Sequence, residues 1–549
     1  MAEARLAIAP VPALGLHTYR VDTSHRTVQI ALTEDGMVFY VPHFRFMVRN
    51  CIRAVRRGHN NIRSAMWPAK LRYVFMINCG VAWYVVNQPS ESWFRSGGLA
   101  DLLWNVDSYA PLTRHFPVWF RVAYLSNVAA TAVLWAVSSF NRLILRSLLS
   151  YKNWLFEKAP SMMTKVWGGL VKYGFMREKN PLLYTYQGVL PKQPVPSLKA
   201  TCEKYLSTVK PLLPTEEYLA MVEKVHHFQC NEGRKLQRYL DIKSLFSENY
   251  VSDWWLNFVY LRSRGSLMIN SNYYGIGEGE TKWLSTHNQV ARAASMIYQF
   301  ARVKQMIDWE TLPPHVLRDV VPLCMAQYQY VFSCTRVPGR DMDHLRTWDS
   351  TESRHIVVLY KGVWYRVQMF TAKGKPLTVF QIQCILQGIV DTGAAPAAGA
   401  RKNSVRQAKS LPNLHDLDVE ESAVANASDN LEEAKSLLPA LTTDNRTTWA
   451  EVREKHFSHG LNRASLAAIE KAQFAVHLDD TAPEDWTSQS RSLFHGTGAT
   501  RWCDKSFMLI VHANAKVGIH AEHSWGDAPT LAHCFELALA SELMANSRN

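Results

Sequence analysis

Two apolar runs limit what this chain can become. Leu71 to Val86 reads LRYVFMINCGVAWYVV, and Val122 to Phe140 reads VAYLSNVAATAVLWAVSSF. A membrane-spanning helix needs ~20 mostly apolar residues. The second run has that length. The first is short, but Trp67, Lys70 and Trp83 stand where its ends would meet the two interfaces. Buried core helices would show the same periodicity, so the flanking charges carry the decision. Arg45, Arg49, Arg53, Arg56, Arg57, Arg63, Lys70 and Arg72 occur with no acidic residue among them. The connection from Asn87 to Arg121 holds three basic and three acidic side chains, and Arg142, Arg146, Lys152, Lys158 and Lys165 follow the second run against Glu157. Basic outer flanks around a neutral loop predict a two-span hairpin with both ends in the cytosol. The expected layout is a cytosolic segment over 1–66 and a hairpin over 67–140, with helices at about 71–87 and 122–140.

Lys and Arg outnumber Asp and Glu by 61 to 47, a net charge of +14. That excess suits an anionic membrane surface or a phosphate-rich ligand. Nucleic acid is not an expected partner, because no RNA-binding aromatic motif, zinc-finger spacing or Lys/Arg-dense arm is present. The nine cysteines are scattered and include no CxxC pair, which points to a reducing compartment. Met1 to Leu16 lacks the features of a secretory signal or an Arg-rich transit peptide.

Beyond about Pro181 the composition is that of a globular protein. Pro191, Pro194 and Pro196 make an extended entry. Helical periodicity covers Leu198 to Leu240, Thr286 to Ile307 and Leu377 to Ile389. Strand patterns cover His355 to Tyr360, Val363 to Phe370, Phe474 to Leu478 and Ser506 to His512. Mixed elements without strict alternation predict an α/β layered domain, over 160–390 and 441–549. Residues 391–440 are polar and low in complexity, the composition of a disordered insertion. Within it, Arg406, Ser410 and Pro412 form a pattern usable by basophilic kinases, although a passive linker is the commoner meaning of so short a pattern.

The candidate chemistry lies near the C-terminus, where His523 is followed four residues on by Asp527, and Pro529 can open a helix over Thr530 to Met544. His523 is therefore expected at a strand-to-helix turn. A histidine with a nearby carboxylate is a general-base arrangement, in which the carboxylate fixes the tautomer and stabilises the imidazolium. Standing alone, such a pair is more often a surface pair or a satisfied core histidine. His512, His520 and His523 also raise a metal site, which the lack of a clear ligand set disfavours; no metal is expected.

Longer motifs decide the matter. Ala521-Glu522-His523-Ser524-Trp525-Gly526-Asp527-Ala528-Pro529, Leu190-Pro191-Lys192-Gln193-Pro194-Val195-Pro196 and Asn249-Tyr250-Val251-Ser252-Asp253-Trp254-Trp255 together resemble the choline/carnitine acyltransferase family. So do Tyr260-Leu261-Arg262-Ser263-Arg264-Gly265, Asn270-Ser271-Asn272-Tyr273-Tyr274 and Pro322-Leu323-Cys324-Met325-Ala326-Gln327. Within the family the likeness is to the carnitine palmitoyltransferases of the outer mitochondrial membrane. The resemblance implies transfer of long-chain acyl groups between coenzyme A and L-carnitine, serving mitochondrial fatty acid import and β-oxidation. It implies His523 as the catalytic base and Asp527 as the residue that orients it. Coenzyme A thioester and carnitine enter as substrates, with no resident cofactor. Asp504 falls in a matching motif and is expected to support the structure, and Trp254 and Trp255 are expected in core packing.

The resemblance also implies a regulatory role for residues 1–66, malonyl-coenzyme A as an inhibitor, and self-association through the hairpin. Glu3 agrees with the family there, while Arg5 replaces a histidine. His520 replaces an asparagine, a change able to shift the pKa of His523 if the two are close. The match stops after the catalytic histidine. The second lobe, with the coenzyme A and carnitine motifs, is expected to be missing, which makes a non-catalytic outer-membrane adaptor the rival reading.

Overall fold

The computed structural model describes residues 29–33, 36–40, 44–87, 115–176, 178–277, 286–371, 375–394 and 437–546. Glu3, Arg5, the centre of the inter-helix connection and the centre of the insertion lie outside them. The chain forms two units: Pro191–Ser263 is one, and Met1–Leu190 with Arg264–Asn549 is the other.

The larger unit begins with an antiparallel hairpin of β1 (Gln29–Thr33) and β2 (Gly36–Tyr40). Helix α1 (Phe44–Met66) follows, then α2 (Leu71–Asn87) and α3 (Val118–Leu149). The basic stretch of the sequence is thus largely a helix. Its polar face grips the globular part: Arg53 pairs with Asp349 at 3.5 Å, and Arg57 Nε donates to the Asp308 carbonyl at 3.3 Å. Asn60 donates to the Trp309 carbonyl at 3.2 Å, and the Arg56 guanidinium lies 3.8 Å from the centre of the Trp309 ring.

Helices α2 and α3 pack together, with Thr131 donating to Asn78 at 3.1 Å. Phe75, Met76, Trp83, Val133, Trp135 and Phe140 are exposed along them. At 1.5 Å per residue α2 spans ~26 Å, short of a ~30 Å hydrocarbon core. Among the described residues one helix, Trp119–Leu149, is long and apolar enough to cross a membrane. It outruns the expected 122–140 because its last turns pack inward. Leu145 and Leu149 are buried with Trp67, Trp167, Val171, Tyr186 and Val189, and Arg146 donates to the Gly188 carbonyl at 2.6 Å.

The short α4 (Met162–Gly169) leads to the smaller unit. The single periodic stretch expected there is three helices, α5 (Leu198–Val209), α6 (Thr215–Cys230) and α7 (Glu232–Phe246), followed by the one-turn α8 (Ser252–Trp255). Pro214 and Asn231 stand at the breaks. Core packing does not hold for the two tryptophans. Trp255 is exposed, while Trp254 stacks on Tyr239 and lies 3.9 Å below the Lys243 ammonium. So small a unit has too little interior to enclose both indoles.

The rest of the larger unit is built on a mixed sheet. Its elements are β3 (Tyr273–Ile276), α9 (Gln289–Asp308), β4 (Val316–Leu317), β5 (Val321–Pro322), β6 (Cys334–Val337), β7 (His344–Thr347), β8 (His355–Tyr360) and β9 (Val363–Gln368). They continue with α10 (Val379–Ala394), α11 (Arg446–Phe457), α12 (Gly460–Lys471), β10 (Ala475–Asp479), α13 (Trp486–Phe494), β11 (Phe507–His512), β12 (Val517–Ala521) and α14 (Ala528–Asn546). Six strands join in the order β3-β12-β11-β10-β8-β9. The central strands β8, β10 and β11 run parallel, and the others pair antiparallel at the edges.

Both faces of the sheet are covered, so its central strands are buried throughout. Ile356, Val358, Phe507, Leu509 and Val511 face one core, with α9, α10 and α14; Val357, Leu359, Met508 and Ile510 face the other, with α11 and α12. Phe300, Phe332, Phe474, Phe507 and Phe535 form an aromatic nucleus, in which Phe474 and Phe507 stack at 5.1 Å. Phe507→Ala should cost ~3–5 kcal/mol through lost contacts and a cavity, whereas Trp255→Ala should stay within ~0.5 kcal/mol. Urea midpoints of the two variants check the contrast.

Candidate active site

The candidate site grows out of the end of β12. Val517, Ile519 and Ala521 are fixed in the core. Gly518 has no alternative residue type, because a Cβ there would collide with Leu493 and approach the Gly275 carbonyl at 2.9 Å. Past Ala521 the chain turns toward α14. Glu522, Ser524, Trp525 and Gly526 are buried, and His523 is half-buried between them. The expected strand-to-helix position of His523 is observed.

The turn is held from inside. Both Glu522 carboxylate oxygens accept from the Ser524 N–H, at 3.1 and 3.0 Å, and the Ser524 hydroxyl donates to one of them at 2.6 Å. The Glu522 N–H and the Trp525 indole N–H both donate to the Ser506 carbonyl, at 3.2 and 2.8 Å. The His523 ring then meets the Tyr273 ring edge to face, with centroids 5.0 Å apart.

Asp527 sits at the start of α14, the usual place for a capping aspartate. Its backbone carbonyl accepts from the Thr530 N–H at 3.0 Å. Gln327 clamps this corner: its Nε2 donates to the Asp527 carboxylate at 3.0 Å, and its Oε1 accepts from the Asp527 N–H and the Thr530 hydroxyl, each at 3.0 Å. The carboxylate assigned to orient His523 is thus engaged by Gln327. Pro529 falls in the first turn of the helix, as its lack of an N–H favours.

Behind the turn runs a chain of buried charges. Arg336 donates to Glu522 at 3.0 Å and to Asp343 at 2.7 Å. Arg446 donates to the same Asp343 oxygen at 2.7 Å and to Asp504 at 2.6 Å. The other Asp504 oxygen accepts from the Trp449 indole at 2.8 Å, and Arg264 donates to Asp343 at 2.8 Å. Burial alone would raise the Asp343 carboxyl, but Arg446 and Arg336 outweigh it and hold the group below its ordinary value. At Asp504 burial wins over Arg446, and the carboxyl is raised. Asp504 therefore has the supporting place its motif suggested. Of the rest, Glu522 and Ser524 were visible as neighbours of His523. Tyr273 and Gln327 lie in two of the family-like motifs, which assign them no role, and Arg336, Asp343 and Arg446 have no local signal.

The three histidines considered for a metal are held apart. His512 faces Asp479 at 4.0 Å, and His520 bonds Asn272 at 3.1 Å and the Leu493 carbonyl at 3.2 Å. Among the described residues no group of three or more His, Cys, Asp or Glu side chains is placed to hold a metal. Burial, with Arg501 adding to it, pushes His520 down to about 3, so it is neutral at physiological pH.

That depression has a definite sign. A histidine of folded pKa about 3 and ordinary value 6.5 stabilises the fold at neutral pH, and the contribution is lost as pH falls from 6.5 toward 3. His355 and His477, also buried, act in the same window. His520→Asn should flatten the acid limb of stability by up to ~1.4 kcal/mol per pH unit. Urea unfolding at pH 7, 5.5 and 4.5 measures it, and parallel curves for variant and parent would contradict the neutral assignment.

The chain is similar to known proteins. The family described as Choline/Carnitine o-acyltransferase matches residues 193–548. The chain is 36% identical over 428 residues to "Carnitine O-palmitoyltransferase 1, muscle isoform" of Rattus norvegicus, covering 76% of this chain and 50% of that protein. It is 36% identical over 431 residues to "Carnitine O-palmitoyltransferase 1, liver isoform" of Homo sapiens, with the same coverage. It is also 27% identical over 387 residues to "Carnitine O-acetyltransferase" of Homo sapiens, covering 68% of this chain and 55% of that one. The chain spans about half the length of these curated relatives.

Proposed function

Because the chain belongs to the choline/carnitine O-acyltransferase family, we propose that it transfers a long-chain acyl group between coenzyme A and L-carnitine, with His523 as the general base. The observation that carries this is the placement of His523. It is half-buried at the β12–α14 turn, with both sequence neighbours locked in buried hydrogen bonds. A base must hold its position to within a fraction of an ångström to be effective, and this turn has little freedom to drift.

In the forward direction His523 takes the proton of the carnitine 3-hydroxyl as that oxygen attacks the thioester carbonyl. The new C–O bond forms, the C–S bond breaks, and the proton passes to the departing thiolate. Reversal begins with deprotonation of the thiol, so one base serves both directions. Asp527 belongs to the same machinery as a positioning residue: its carboxylate and N–H, both tied to Gln327, fix the first turn of α14 behind the base.

Preference for long chains is supported by 36% identity to carnitine O-palmitoyltransferase 1, against 28% for carnitine O-palmitoyltransferase 2 and 27% for the acetyltransferase. The outer mitochondrial membrane is the proposed site, with α2 and α3 as the hairpin and both ends cytosolic. The apolar, exposed α3 and the exposed aromatic side chains of α2 support that placement.

A carnitine-dependent acyl-exchange assay on membranes carrying the chain tests the proposal. His523→Ala should lower turnover by ~10²–10⁴, and Asp527→Asn by less. Turnover that survives His523→Ala overturns the base. A folded parent chain without turnover favours the adaptor reading. Alkaline carbonate should leave the protein in the membrane pellet; release into the supernatant overturns the hairpin.

A further inference from the structure

α1 ends at Met66 and α2 begins at Leu71, and a cavity of about 220 Å³ opens at the elbow between them. Pockets for drug-sized ligands measure ~300–1,000 Å³, so this one has room for a small headgroup and not for an acyl thioester. Its lining is basic. Arg63, Lys70 and Arg72 face it together with His59, against a single carboxylate, Glu178.

That carboxylate is already taken, since Arg63 donates to Glu178 at 3.2 Å and to the Asn180 carbonyl at 2.9 Å. Arg72 leans on its neighbour Tyr73, whose hydroxyl accepts from it at 3.0 Å. The half-buried Lys70 ammonium and the His59 imidazole have no hydrogen-bond or ion-pair partner among the described residues. The wall behind them is firm: Trp67 is buried and packs edge to face on Tyr186 at 5.3 Å. The Lys70 ammonium and the Arg72 guanidinium are thus offered to a cavity whose one carboxylate is already engaged.

The surroundings say what kind of anion belongs there. Helix α1 puts its cationic face on the globular unit and exposes Val48, Ile52, Val55 and Ile62, spaced 4, 3 and 7 residues apart along one stripe. A basic amphipathic helix with an open apolar stripe lies in the plane of a membrane interface. On the other side of the cavity α2 begins at Leu71 and exposes Tyr73, Phe75 and Met76 within its first turns. With the hairpin placed as proposed above, the cavity falls between an interfacial helix and a membrane-entering one, at the depth of lipid headgroups, where basic pockets hold anionic lipids.

We infer that the α1–α2 elbow is a binding site for the phosphate of an anionic phospholipid, contacted by Lys70 and Arg72. Arg63 contributes field but not contact, because Glu178 and Asn180 occupy it. The inference rests on the hairpin placement proposed above. It adds a defined lipid site to that placement and concerns a region remote in sequence from His523.

The test uses the full chain in neutral detergent and follows the thermal unfolding midpoint. Phosphatidylglycerol should raise the midpoint by several degrees, as a ligand bound only by the folded state must. Phosphatidylcholine should raise it much less, and millimolar inorganic phosphate hardly at all. Lys70→Gln with Arg72→Gln should abolish most of the phosphatidylglycerol increment while leaving the lipid-free midpoint in place. As a charge control, Lys152→Gln with Lys158→Gln removes two exposed cations elsewhere and should leave the increment intact.

An undiminished increment in the Lys70/Arg72 variant overturns the site. So does an equal loss in the control, which would mean general charge attraction, or full reproduction by inorganic phosphate, which would mean a free-anion site. Carbonate extraction of the parent chain separates the two readings. Release from the membrane sinks the hairpin, whereas retention without the lipid effect sinks only the pocket.

Discussion

The arrangement around His523 depends on a chain of charges that water does not reach. Arg336, Asp343, Arg446, Asp504 and Glu522 are each almost fully excluded from solvent. Removing ions from water is costly, and a buried pair recovers that cost only with close geometry and no stranded partner. Here the three inner members, Arg336, Asp343 and Arg446, each bridge two others, so the sum is a network with one dominant arrangement. Its value lies in uniqueness: the turn that carries His523 is specified by charge matching, which tolerates displacement far less than apolar packing does.

The parts of the fold legible in the sequence are those whose surroundings write a local pattern. β8 and β11 are buried on both faces, so they read as unbroken apolar runs, and both were located to within a residue. β3 and β12 write no such pattern, because each is short and carries a glycine, and β12 also carries the polar His520. Periodicity over Leu198 to Leu240 was real, but it does not report chain breaks, and the division into three helices is set by Pro214 and Asn231. Of the insertion expected over 391–440, residues 391–394 belong to α10 and Leu438 is buried, and 395–436 lie outside the described residues.

The candidate site divides in the same way. His523 and Asp527 lie in one short motif and could be read together. The residues that fix the turn come from far away: Arg336 and Glu522 are 186 positions apart, and Asp343 and Arg446 are 103 apart. Only the crossing of strands and helices brings them within 3.0 Å. No window along the chain contains that information, and a cation deep in a core has no distinctive composition around it. The partner of Asp527 was hidden for the same reason, since Gln327 stands 200 residues earlier.

Helix α9 links the two ends of the larger unit. The carbonyls at its C-terminal end, Asp308 and Trp309, are capped by Arg57 and Asn60 of α1. Near its other end the buried Arg292 pairs with Glu542 of α14 at 3.0 Å, the helix whose first turn follows His523. Its 20 residues make a stiff strut ~30 Å long. Slack in such a strut is small, because both couplings are short polar contacts and the shaft is packed in the core. A displacement of α1 must therefore either shear the cap at Asp308 and Trp309 or drive the strut against α14, so that a push at one end of the larger unit is delivered at the other.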